Sequence, residues 1–110
     1  MISNIVVPIQ QSAQYTFENL VRGVDFTNYL SPTSDTLTGS PVVTVSVLSG
    51  TDPNPSDILI GSPVLSENSM QILQRVSGGV AGTIYLLSFR CGTDQGNTWE
   101  QQVFFSVIQG

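Results

Sequence analysis

The stretch TIYLLSFRCGTDQGNTWEQQVFFSVI, Thr83 to Ile108, decides the fold. Side chains alternate across a β-strand, so residues two apart share a face. On that rule Tyr85, Leu87, Phe89 and Cys91 point one way. Ile84, Leu86, Ser88 and Arg90 point the other, and this second face turns polar toward its end. After GTDQGN, Gly92 to Asn97, the alternation resumes with Val103, Phe105 and Val107 on one face. Gly, Asn and Asp tolerate the backbone angles of tight turns, so two alternating runs about such a segment predict a hairpin.

Upstream the same pattern recurs. SMQILQRV presents Met70 and Ile72 inward, and SGGVAG, Ser77 to Gly82, reads as the hairpin turn into the next strand. In PVVTVSVL, Val43, Val45 and Val47 share one face while Thr44 and Ser46 take the other. AQYTFENL and NIVVPI are further strand candidates; Pro8 has no N–H for a ladder, which places the latter at an edge. FTNYL, with Phe26 and Leu30 four apart, supports one helical turn that Pro32 ends. Short strands at regular spacing and no capped helical period predict an all-β fold. The expected architecture is an immunoglobulin-like β-sandwich of about seven antiparallel strands, with a small barrel as the alternative. A chain of 110 residues has room for one domain. Its expected division is an N-terminal arm or edge strand over 1–20 and the sandwich over 21–110.

Charged residues make up only 10% of the chain and hydrophobic ones 40%, so Ser, Thr, Gln, Asn and Gly must build the surface. Eight acidic residues stand against three arginines, Arg22, Arg75 and Arg90. With no basic patch to neutralise phosphates, neither nucleic acid nor an anionic membrane is an expected partner. MISNIVVPIQQSAQ lacks the basic and long apolar regions of a signal peptide, and no stretch approaches the roughly 20 apolar residues of a membrane span. The expectation is a soluble chain that enters no secretory route by itself. Cys91 stands alone, so no intrachain disulfide forms, and folding in a reducing cytoplasm is the simpler reading.

Catalysis finds little support. The chain has no histidine, so the usual pairs of nucleophile and base cannot be assembled, and Cys91 reads as a small core residue. Glu18, Glu67 and Glu100 lie on different segments, with nothing to converge them as a glycosidase pair. GGVAG resembles part of a phosphate-cradling loop, but no GKS or GKT ending follows and a strand comes next. In SGTDPNPSD, Asp52, Asn54 and Asp57 offer three oxygen ligands for calcium; however, no glycine stands between Asp52 and Asp57, and Glu67 is too distant to close the site. The favoured reading is a rigid loop with Asx-type turns. Trp99 and Tyr85 form a candidate sugar-stacking platform, against the reading that Trp99 seals the end of the core. The chain is expected to be no enzyme and to hold no metal or cofactor.

VDFTNYLSPTSDTL, followed by VVTVSVLSGTDPNPSDILIGSPVLSENSMQILQRVSGGVAGTIYLLSFRCGTDQGNTWEQQVFFSV, resembles a family of small immunoglobulin-like virion proteins of tailed bacteriophages. The resemblance spans roughly residues 20 to 108. Its marks are Asp25, Phe26, Leu30, Asp35 and Leu37, the loop from Gly50 to Ser56, the glycine turn from Gly78 to Gly82, Thr83 to Leu87, and Gln95 with Gly96. The first twenty residues depart from it and leave room for an arm that could augment a neighbour's sheet edge. The resemblance implies a structural virion protein, assembled in the host cytoplasm and binding other virion proteins, as a homo-oligomer or in many copies on the particle. A capsid-associated decoration protein is the leading expectation, a tail or neck component the second, and a carbohydrate-binding host-adhesion module the third. The irregular elements at the sandwich ends supply the candidate contact residues: Asp52, Asn54, Asp57, Asp94, Gln95, Asn97 and Trp99.

Overall fold

The computed structural model describes residues 8–110. The signal-peptide reading and the start of the N-terminal arm fall on residues 1–7, outside the described residues. The strands are β1 (Ile9–Gln10), β2 (Gln14–Tyr15), β3 (Asn19–Asp25), β4 (Leu37–Ser49), β5 (Leu59–Leu65), β6 (Gln71–Ser77), β7 (Ile84–Thr93) and β8 (Thr98–Ile108). They form two sheets, one ordered β1-β8-β7-β4 with β2 also on β8, the other β3-β6-β5. The fold is therefore the all-β sandwich that the alternation predicts.

The predicted hairpin is present, with Tyr85 opposite Phe105 and Cys91 opposite Trp99. Tyr85, Leu87, Phe89, Cys91, Val103, Phe105 and Val107 are all buried and meet Val24, Ile72 and Val76 from the other sheet. Burying each large apolar side chain contributes about 1.5–3 kcal/mol, so this parity holds the two layers together. One wall of the sandwich end comes from the helical turn α1 (Thr27–Leu30), which delivers Phe26 and Leu30 into the core. Pro32 does not end that turn as expected. It sits at the start of a following 3-10 turn, Ser31–Thr33, where no N–H is needed, and Ser34 at φ 52° stops the helix instead.

Two further expectations change. SGGVAG is not a hairpin turn, because β6 and β7 belong to different sheets and the segment crosses the sandwich. The inward residues of β6, Ile72, Gln74 and Val76, already face the core that β7 closes from the other side. A connection between them must span the roughly 10 Å between packed sheets. The strands are also not all antiparallel: β1 and β2 run parallel to β8, with Ile9 opposite Val103 and Gln14 opposite Val107. Residues 9–15 thus extend a sheet edge of their own chain, since the turn at Thr16–Glu18 carries the chain from that edge into the opposite sheet, where β3 runs back.

Arg22 fixes this edge. It is 5% exposed, its guanidinium lies 3.8 Å above the Phe105 ring, and its N–H groups donate to Gln11 Oε1, the Ser12 carbonyl and Gln14 Oε1. Gln14, fully buried, donates in turn to the Gly78 carbonyl at 2.8 Å. Burial lowers the Arg22 pKa, and nearby Glu18 opposes that shift.

Candidate docking surfaces

The strands run from one end of the sandwich to the other, which separates the two predicted contact loops. Gly92 to Asn97 lies at the end where β4 begins, and Thr51 to Asp57 at the end where it finishes, in a molecule 43 Å long. They cannot form one continuous contact.

At the first end Asp35, 2% exposed, organises the loops. Its carboxylate accepts from the Thr36 N–H at 2.9 Å, the Gln95 N–H at 3.1 Å and Asn97 Nδ2 at 3.4 Å. Gln95 Nε2 also donates to the Thr33 carbonyl at 2.7 Å. Gln95 and Asn97 therefore brace this end, while Asp94 is exposed. Burial would push the Asp35 carboxyl up, but hydrogen bonds from Thr93, Thr36, Gln95 and Asn97 outweigh it and hold the group below its ordinary value. Asp25 is held low as well, by the Thr27 hydroxyl and N–H. A carboxyl with a depressed folded pKa contributes stability that is complete above the unfolded value, about pH 4, and lost as pH falls through the folded one. The melting-temperature gap between wild type and Asp35→Asn should accordingly narrow on acidification from about pH 7 to pH 3. A constant gap would mean that the Asp35 charge does not hold these loops.

At the other end Asp52 is occupied internally. Oδ2 accepts from the Tyr85 hydroxyl at 2.6 Å, and Oδ1 from the Asn54 N–H at 2.9 Å, the Asx turn expected of this loop. Asn54 and Asp57 are exposed beside a 3-10 turn, Pro55–Ile58. Among the described residues no three His, Cys, Asp or Glu side chains gather as a metal-holding group. The Cys91 thiol, 3% exposed, donates to the Thr38 carbonyl, and burial pushes its pKa up.

The sugar platform is not assembled. Tyr85 is fully buried and stacks on Phe105, whereas Trp99 lies six residues along the hairpin, about 20 Å away at strand rise. Trp99 stacks instead on Tyr29 at 5.0 Å and closes the core at that end. Tyr29 and Gln101 help line an adjoining cleft of about 520 Å³, which runs between β1 and β3 past Gln11 and Asp25.

The sheets carry exposed apolar features as well. On the outer face of β3-β6-β5, Val21, Ile60 and Val64 are 52%, 43% and 55% exposed, and Leu73 lies between them. The outer face of β4-β7-β8 is graded. It begins at the Arg90–Glu100 ion pair, passes through Thr44, Ser88 and Gln102, and becomes apolar at Leu86 and Phe104. Beside β2, Phe17 is 73% exposed and stacks on Tyr15 at 5.4 Å. Alternation places Val21, Leu73, Ile60 and Val64 outward one strand at a time, and the register of β3-β6-β5 sets them side by side.

Comparison with protein families sets the chain among the structural proteins of the bacteriophage virion. Residues 17–106 match the family described as podophage GP4 fiber-tail adaptor protein gp77, and the chain belongs to that family. No curated protein and no solved structure gives a significant match. The chain is a component of the virion.

Proposed function

We propose that this chain is an adaptor that joins a tail fiber to the body of the phage tail through protein–protein contact and without catalysis. The observation that carries the reading is the family match over residues 17–106, which includes all of β3 to β7 and most of β8. It favours the tail reading over capsid decoration. The apolar sheet faces support contact over a surface, and several copies on one particle would add avidity. Host adhesion through glycans loses its platform once Tyr85 is buried.

The module is read as immunoglobulin-like. The third, sixth and fifth strands pair in one sheet and the eighth, seventh and fourth in the other, the division of the B-E-D and G-F-C strands in that fold. The Tyr85 hydroxyl, at the start of the seventh strand, accepts from the Val80 N–H at 2.9 Å, as a tyrosine corner does.

Phage grown without this chain tests the function. Purified particles should retain heads and tail bodies in electron micrographs but carry no fibers, and supplying the chain in trans should restore them. Fibers still in place, or the chain co-purifying with separated heads, would end the adaptor reading.

A further inference from the structure

We infer that two copies of this chain associate face to face through the outer surface of the β3-β6-β5 sheet. The cations point there first. Among the described residues Arg22 is buried and Arg90 is paired with Glu100, whereas Arg75 is exposed and meets only an amide, donating from Nη1 to Asn19 Oδ1 at 3.0 Å. Arg75 lies in one row of the sheet with Val21 and Ile60. The next row on this face places Leu73 between Gly23 and Val64, and the row beyond pairs Gln71 with exposed Asp25. A groove of about 300 Å³ runs across the first two rows.

The face therefore carries a cation at one end, an apolar middle and a carboxylate at the other end. This order is self-complementary about one kind of two-fold axis. An axis along β6 would set Arg75 on Arg75. An axis crossing the strands at Leu73 exchanges the rows on either side, bringing each Arg75 over the Gln71–Asp25 row of its partner. Neighbouring strands lie about 4.8 Å apart, within the reach of an arginine side chain to the Asp25 carboxylate. Val64 and Leu73 then close on their counterparts at the centre. Three strands of 7 residues cover only about 14 Å by 24 Å at ordinary strand spacing and rise, less than the roughly 800 Å² per partner of a stable interface, so the association is weak and is favoured where copies are held close together.

Charge reversal tests the arrangement with the full chain in solution. Sedimentation equilibrium over a wide concentration range should show a reversible dimer for wild type and monomers for Arg75→Asp and for Asp25→Arg measured separately. Mixed in equal amounts, the two variants should dimerise again, because both cross-pairs are then opposite in charge. Circular dichroism melts establish that each variant is folded, and Val64→Asp, which leaves the charges alone, should also be monomeric. A monomeric wild type at every concentration, or a mixture that stays monomeric, overturns the inference. If wild type is monomeric yet Arg75→Asp loses binding to tail or fiber protein, this face belongs to that protein and not to a second copy. The readout is independent of fiber attachment, so failure of either reading leaves the other standing.

Discussion

Replacing Gly50 with alanine should lower the melting temperature by about 12 °C, roughly twice the effect of the same change at Gly39. Both glycines have positive φ, +94° and +79°, where an L side chain is strained by about 1–2 kcal/mol. Nothing lies within 4 Å of a Cβ at Gly39. At Gly50 the same atom would come within 2.9 Å of Thr83 Cα and 3.0 Å of the Gly82 carbonyl oxygen. Those are backbone atoms, and Thr83 cannot retreat: it is 1% exposed, and its carbonyl accepts from the Val107 N–H at 2.9 Å. Overpacking adds to the strain, for about 3 kcal/mol in all, and each kcal/mol is worth about 4 °C in a domain of this size. Thermal melts of the two variants side by side make the test. Equal shifts would show that the close approach of the β4 end to the sheet-crossing segment is not what requires glycine.

Arg22→Ala is expected to cost about 3 kcal/mol, because it empties the space over Phe105 and leaves the buried Gln14 side-chain oxygen without its arginine partner. Its effect is local as well as global. The Gln11 N–H donates to the Phe104 carbonyl at 2.8 Å and the Thr16 N–H to the Ile108 carbonyl at 3.0 Å. Hydrogen exchange at both amides should accelerate well beyond the change at β7 amides such as Leu87. Uniform acceleration would mean that Arg22 supports the fold as a whole and does not clamp residues 9–15 in particular.

The layers of this molecule are legible in its sequence because burial imposes period two. Every inward residue of the Thr83–Ile108 hairpin was identifiable by counting in twos, and Cys91 fell into the core by the same count. The partition between sheets was not legible. A glycine-rich connection looks the same whether it folds back within one sheet or crosses to the other, and only the packing of Ile72 and Val76 against β7 decides. Parity places Arg22 inward with Val24, yet its polar type argues for the surface, and the partners that resolve the conflict, Gln11 and Gln14, come from a segment with weak strand character. Asp35 was visible as a mark of the family, but its role depends on Thr93, Gln95 and Asn97, some sixty residues away. The apolar sheet face escaped the loop-centred reading for a related reason. Turn residues advertise themselves by composition, whereas an apolar outer face appears only once strand pairing brings Val21, Ile60, Val64 and Leu73 side by side.

The parallel attachment of β1 and β2 to β8 has a mechanical consequence. When tension enters at Ile9 and leaves beyond Ile108, the two segments are drawn in opposite directions along their common axis. The hydrogen bonds between them lie across the pull, so they share the load and must break together, in shear. An antiparallel pair gripped at one end would unzip one bond at a time. Phe105 and the guanidinium above it resist the same sliding from within the sandwich. A joint built in this way yields abruptly at a high force and does not stretch gradually at a low one.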